Sequence, residues 1–130
     1  MKRNVIIDCD PGIDDALAIM EDFIVKYGED IQAVYCHWDV GATGCIEALK
    51  NAGMEGVYVI GVDGCMVGYE QVKEGTQALC IGQSFSQMTQ DAFTVITKLM
   101  NGEELESDVV WTALDVVTAD TIDNFPWPEW

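Results

Sequence analysis

Apolar and polar residues fall into short alternating blocks along this chain. Residues 5–9, 33–36, 57–62 and 78–81 are apolar and rich in β-branched side chains, which predicts strands buried on both faces. Between them the spacing changes to that of helices. Ala16, Ile19, Met20, Phe23 and Tyr27 follow an i, i+3, i+4, i+7 pattern, as do Ala42, Cys45, Ile46 and Leu49. A short helix is predicted over 67–74. The longest covers Phe85–Met100, with Met88, Ala92, Ile96 and Leu99 on one face. Ser84 and Gln87 fit an S-x-x-Q capping box at its start. Residues 109–117 predict a fifth strand, and an irregular tail follows.

Strand–helix alternation throughout predicts a single α/β domain over residues 1–130. The expected architecture is a flavodoxin-like doubly wound parallel sheet of five strands, in the order 2-1-3-4-5. A length of 130 residues suits one domain, and 49% hydrophobic residues suit a packed core. The helix ends are marked as well. Gly28, Gly53, Gly75 and Gly102 stand where helices should stop, with Lys26, Lys50, Lys73 and Lys98 just before them. A cation in a last turn offsets the negative end of the helix dipole.

Charge narrows the function. Six basic residues against 23 acidic ones give a net charge of −17. That argues against nucleic acid and against an anionic membrane surface, since both are held by Lys and Arg. With four of the six basic residues in helix last turns and two at the N-terminus, the edge where strands end is expected to lack cations. Ligands of open α/β sheets bind at that edge. Three strands end there in an acid followed closely by glycine: Asp8-Cys9-Asp10-Pro11-Gly12, His37-Trp38-Asp39-Val40-Gly41 and Val62-Asp63-Gly64. Each acid alone reads as a loop cap. Three on one cation-free edge point to a polar site for a hydroxyl-rich ligand, or for a hard cation such as Ca²⁺ or Mg²⁺.

From Ala18 onward the chain resembles the C-terminal lobe of type 1 periplasmic sugar-binding proteins, the ribose/galactose-binding kind attached to ABC transporters. The segments are Ile31-Gln32-Ala33-Val34-Tyr35-Cys36-His37-Trp38-Asp39, Ile46-Glu47-Ala48-Leu49-Lys50-Asn51-Ala52-Gly53, Val59-Ile60-Gly61-Val62-Asp63-Gly64 and Ile81-Gly82-Gln83, with Leu99-Met100-Asn101-Gly102 after them. The likeness covers residues 18–123 in family order. It implies a non-catalytic lobe that binds a sugar or polyol, with affinity weak or absent without its second lobe. It implies ligand contacts at Trp38-Asp39, Asp63 and Gln83, joined by Asp10 from the first loop. Trp38 stands where the family has Asn. An indole donates one N–H and accepts nothing, so Trp38 is read as a stacking wall. The resemblance also implies that Phe85–Met100 crosses to a second lobe. In a lone lobe that helix folds back or pairs with another chain, so a homodimer through it is an expected partner.

Residues 1–20 resemble a different family. Asp8-Cys9-Asp10-Pro11-Gly12-Ile13-Asp14-Asp15 is similar to the D-x-D-P-G-x-D-D signature of Ca²⁺-dependent nucleoside hydrolases. By that resemblance Asp8, Asp10 and Asp15 bind calcium, Asp10 is also the catalytic base, and Asp14 contacts ribose. The motif covers a small part of the chain, and nothing later supplies the rest of such a site, so hydrolase activity is not expected. The two likenesses meet near Ala18–Glu21 without breaking an element, as in a chimera of two families or in a binding-protein lobe whose first strand converged on the motif, and a purely structural chimera without ligand is the third reading.

The other candidates carry less. His37 is the single histidine, so a His-rich metal site is excluded. The five cysteines show no C-x-x-C pair and read as reduced, buried thiols. The N-terminus lacks a signal-peptide pattern, which predicts a cytoplasmic or recombinant product as written, although the family resembled is periplasmic or extracellular.

Overall fold

A computed structural model describes residues 3–7 and 12–128, with side chains from Gly12 onward. The strands are β1 (Arg3–Ile7), β2 (Ile31–Cys36), β3 (Tyr58–Asp63), β4 (Leu79–Gln83) and β5 (Leu114–Thr118). The helices are α1 (Ile13–Tyr27), α2 (Asp39–Asn51), α3 (Met66–Glu74) and α4 (Phe85–Met100), with 3-10 turns at Gly28–Asp30 and Ile122–Asn124. The α/β class and the helices agree with the hydrophobic pattern. Ala16 and Met20 of α1 are buried, as are Ala42, Cys45 and Leu49 of α2. At the start of α4 the Ser84 hydroxyl accepts from the Gln87 N–H at 3.2 Å. The reciprocal half of the box is not made, because the Gln87 amide turns to Asp91 at 2.8 Å. Gly75 ends α3 at φ 77° and Gly102 follows α4 at φ 73°, left-handed values that cost glycine little.

The strand order corrects the expectation of 2-1-3-4-5: the sheet runs β1-β2-β3-β4-β5. The reason lies in the helices. Ala16 and Met20 of α1 share one cluster with Ala42, Cys45 and Ala48 of α2. Two successive crossovers on one face add strands in one direction, and a reversal would have sent one helix to the other side. Four strands are parallel and β5 is antiparallel. Residues 109–113, predicted as strand, lie outside β5. They return along α4, where the Thr112 hydroxyl donates to Asp91 at 2.8 Å.

Register separates the two faces of the sheet. Val34 pairs with Val59, Gly61 with Cys80, and Cys80 with Val117. These residues share one face and are all buried, under α1, α2 and α3. The core continues there as a second cluster of Tyr69, Val72, Cys80, Val117 and Ile122. Tyr35, Ile60, Ile81 and Val116 occupy the opposite face and remain half-buried or exposed. The packed helices therefore wind on one face where two were expected. Helix α4 buries none of its residues.

Candidate functional site

At the carboxyl edge of β3 and β4 the chain forms a cleft of about 290 Å³, lined by Asp63, Gly64, Gly82, Gln83, Ser84, Tyr69, Asp115 and Trp127 among others. Its floor is set by glycines. A side chain on Gly64, at φ 80°, would come within 2.8 Å of the Gly82 Cα, so the β3 turn lies directly on β4. Asp63 is held at φ 113°, an uncommon conformation for a residue with a side chain. Asp115 lies across from Gly82 in the β4–β5 register. The Trp127 ring packs edge-on against Tyr69, with centroids 5.8 Å apart, and the Lys73 ammonium lies 5.5 Å from its centroid. Tyr69 is buried, and desolvation, with the Cys80 thiol and the carboxylates of Asp115 and Asp39 nearby, pushes its phenol above its ordinary range. Among the described residues no Lys or Arg lines this cleft.

The structure brings Asp63 and Gln83 together here and places Asp39 and Trp38 elsewhere. Asp39 is fully buried. Its Oδ2 accepts from the N–H groups of Gly64 at 2.9 Å and Cys65 at 3.2 Å, and from the Cys80 thiol at 3.1 Å. Its Oδ1 accepts from the Gln77 amide at 3.1 Å. Four donors surround a carboxylate that has no counter-cation among the described residues, and two of them belong to the turn leading into α3. Trp38 precedes α2 and lies over Gly41, with its ring 4.7 Å from that of His37. Asp14 and Asp15 are exposed in the first turn of α1. Asp8 and Asp10 lie outside the described residues. Among the described residues no group of three or more His, Cys, Asp or Glu is placed to hold a metal ion.

Sequence reasoning missed Asp115, Tyr69 and the placement of Trp127 in the cleft. The available signal was the Pro126-Trp127-Pro128 tail, whose bulky residue needed a surface to lie on.

Comparison with known proteins places the chain. Residues 4–104 match the family model described as periplasmic binding protein domain, a match that includes the first strand and the acidic loop after it. A xylitol-binding protein of Mycolicibacterium smegmatis is 32% identical over 113 residues, which is 85% of this chain and 31% of that protein. The ribose import binding protein RbsB of Salmonella typhimurium is 33% identical over 91 residues, 70% of this chain and 30% of that one. An ABC transporter periplasmic solute-binding protein from Actinobacillus succinogenes, solved with bound D-allose, superposes with a TM-score of 0.78 at 25% identity, over 88% of this chain and 40% of that chain. This chain thus spans less than half the length of the proteins it matches. No helix among the described residues is long and apolar enough to cross a membrane. With most of its length inside that match, the chain belongs to the periplasmic binding protein domain family, in its sugar-binding branch, as a partial domain.

Proposed function

We propose that this chain is a sugar- or polyol-binding lobe whose ligand lies in the cleft of Asp63, Gln83, Asp115 and Trp127. The observation that carries this reading is that two acids and an amide converge on a cleft with an aromatic wall and no Lys or Arg among its described lining residues, while the Lys73 ammonium lies against the Trp127 ring. Carboxylates and amides pair with hydroxyl groups, and an aromatic ring covers the C–H face of a sugar. With two carboxylates and no Lys or Arg among the described lining residues, the cleft suits a neutral ligand rather than a phosphate ester. The ligands named for the relatives, xylitol, ribose and D-allose, are all neutral and hydroxyl-rich. In this reading Asp39 orders the loop beneath the cleft, and Trp38 is displaced from the stacking role by Trp127. Isothermal titration with xylitol, ribose and allose tests it. Saturable heat that disappears in Asp63→Ala supports the cleft. Silence toward all three at millimolar protein overturns it.

Helix α4 buries none of its residues, and we propose a second copy of this chain as the occupant of its apolar face. Phe85, Met88, Ala92, Phe93 and Ile96 line an open groove on α4, and Phe85, Phe93 and Ile96 are 47%, 65% and 51% exposed. Within Phe85–Met100 there is one acid, Asp91, and one base, Lys98. The net charge of −17 is therefore carried elsewhere, and the apolar faces of two such helices can meet with few charges at the contact itself. The calcium reading of Asp8, Asp10 and Asp15 stands as the alternative to the sugar reading. A calcium titration showing saturable binding that Asp10→Ala abolishes would favour it.

A further inference from the structure

Cys36 closes β2 and Cys45 lies in the second turn of α2. Both are fully buried, and their sulfurs are 3.3 Å apart. We propose that Cys36 and Cys45 form a disulfide, with a small-molecule disulfide such as glutathione disulfide as the oxidant. The two sulfurs are already in contact, and reaching the bond length of about 2.05 Å asks for a movement of roughly 1.2 Å. The other two described thiols are committed elsewhere. Cys80 donates to Asp39, and Cys65 lies in the turn whose N–H groups bind the same carboxylate.

Exchange passes through a mixed disulfide on one of the two sulfurs, Cys36 for example. The Cys36 thiolate attacks one sulfur of the oxidant, giving a mixed disulfide and releasing one thiolate. The Cys45 sulfur then attacks that of Cys36 and releases the second. One S–S bond breaks for each one formed, two electrons pass to the oxidant, and the two cysteine protons end on the two released thiols. In the closed state the hydrogen bond from Cys45 holds the Cys36 thiol below its ordinary value, against the opposing effects of burial and the Asp39 charge, and once α2 opens the exchange balances equally with either cysteine attacking first. Burial pushes the Cys65 and Cys80 thiols the other way. Because both partners are buried, exchange takes place as the chain folds or when α2 opens. The closed ring of residues 36–45 then encloses His37, Trp38 and Asp39 and ties the Asp39 turn to the end of β2. This inference does not depend on the sugar reading.

The test uses the whole chain, refolded from denaturant in buffers of graded glutathione disulfide to glutathione ratio, quenched with acid, alkylated in denaturant so that buried thiols react, and digested with trypsin. Cleavage after Lys26 and Lys50 leaves Cys36 and Cys45 in one peptide with no other cysteine. The expected result is that this peptide becomes lighter by two hydrogens and escapes alkylation in most of the folded protein. Cys65 and Cys80 should remain alkylated. In Cys45→Ala the reaction should stop at a glutathione adduct on Cys36. Full alkylation of both cysteines in folded, oxidant-treated protein, or dominant pairing with Cys65 or Cys80, overturns the proposal. Should refolding yield be low, the protein incubated with glutathione disulfide in urea near its unfolding midpoint, where α2 opens, is mapped to the same two outcomes.

Discussion

The carboxylate of Asp39 fills the space that a side chain on Gly68 would occupy. A Cβ built on Gly68 of α3 overlaps the Asp39 carboxyl group, and a Cβ on Gly61 of β3 overlaps its Oδ1. Two glycines from different elements thus make the socket, and four donors close it. An acid at the first position of α2 thereby fixes how α3 leaves β3, and so the position of the Asp63-Gly64 turn in the cleft.

Replacing Asp39 by Asn should be nearly as damaging as replacing it by Ala. Both oxygens accept hydrogen bonds, so an amide NH₂ on either side meets a donor. With the amide NH₂ on the Oδ1 side the Gln77 donor is stranded, a cost of about 1–3 kcal/mol, and the expected loss in urea unfolding is of that size. Gly68→Ala should cost about 1–3 kcal/mol by overpacking the same socket. An Asp39→Asn variant of wild-type stability would show that the carboxylate does not hold this loop.

How far the sequence could be read follows from which interactions are local. The α4 cap at Ser84 and the terminating Gly75 and Gly102 depend on neighbours three or four residues away, and their pattern announced them. The strand order depends on α1 and α2 choosing the same face, a contact between Ala16 and Gly44 that no periodicity reveals. Asp39 and Asp63 look alike as acids at strand ends before a glycine. Only the distant notches at Gly61 and Gly68 make one a buried anchor and leave the other in the cleft. Asp115 and Trp127 reach that cleft after the α4 excursion, too far along the chain for spacing to connect them with Asp63.

Alkaline stability should decline through the thiols beside Asp39. Burial, then the charge of Asp39, raises the Cys80 thiol above its ordinary value of 9.0, and burial raises Cys65 in the same direction. A group whose folded value is raised contributes fully below its unfolded value, and the contribution is lost as pH rises through the folded one. Cys36 shifts the opposite way and offsets part of this. The expected outcome is a Tm that falls from about pH 9 upward, with a shallower fall in Cys80→Ala. An unchanged slope in that variant would assign the alkaline loss to other groups.

Ligand affinity should be weak and should depend on the cleft rather than on Trp38. One lobe supplies part of a two-lobed site, so a Kd on the order of 1 mM is expected for the best polyol. Asp63→Ala removes a charged hydrogen-bond partner and should weaken binding roughly tenfold or more. Trp127→Ala should weaken it by a smaller factor, and Trp38→Phe should leave it nearly unchanged. Calorimetric titration of the three variants checks the ranking. A Trp38 variant that loses more than the Trp127 variant would return the stacking role to Trp38.

Self-association should respond to one charge placed on α4. Ile96 is 51% exposed in an open apolar groove and belongs to a helix that buries none of its residues. A glutamate there leaves the monomer's core untouched, so Ile96→Glu should change thermal stability by less than about 0.5 kcal/mol. In a dimer the same change places two like charges in a desolvated contact, where the penalty is several kcal/mol. Size-exclusion chromatography with light scattering should therefore show a dimer in the parent chain at tens of micromolar and a monomer in the variant. A parent chain that is monomeric at that concentration, or a variant that remains dimeric, would remove α4 as the interface.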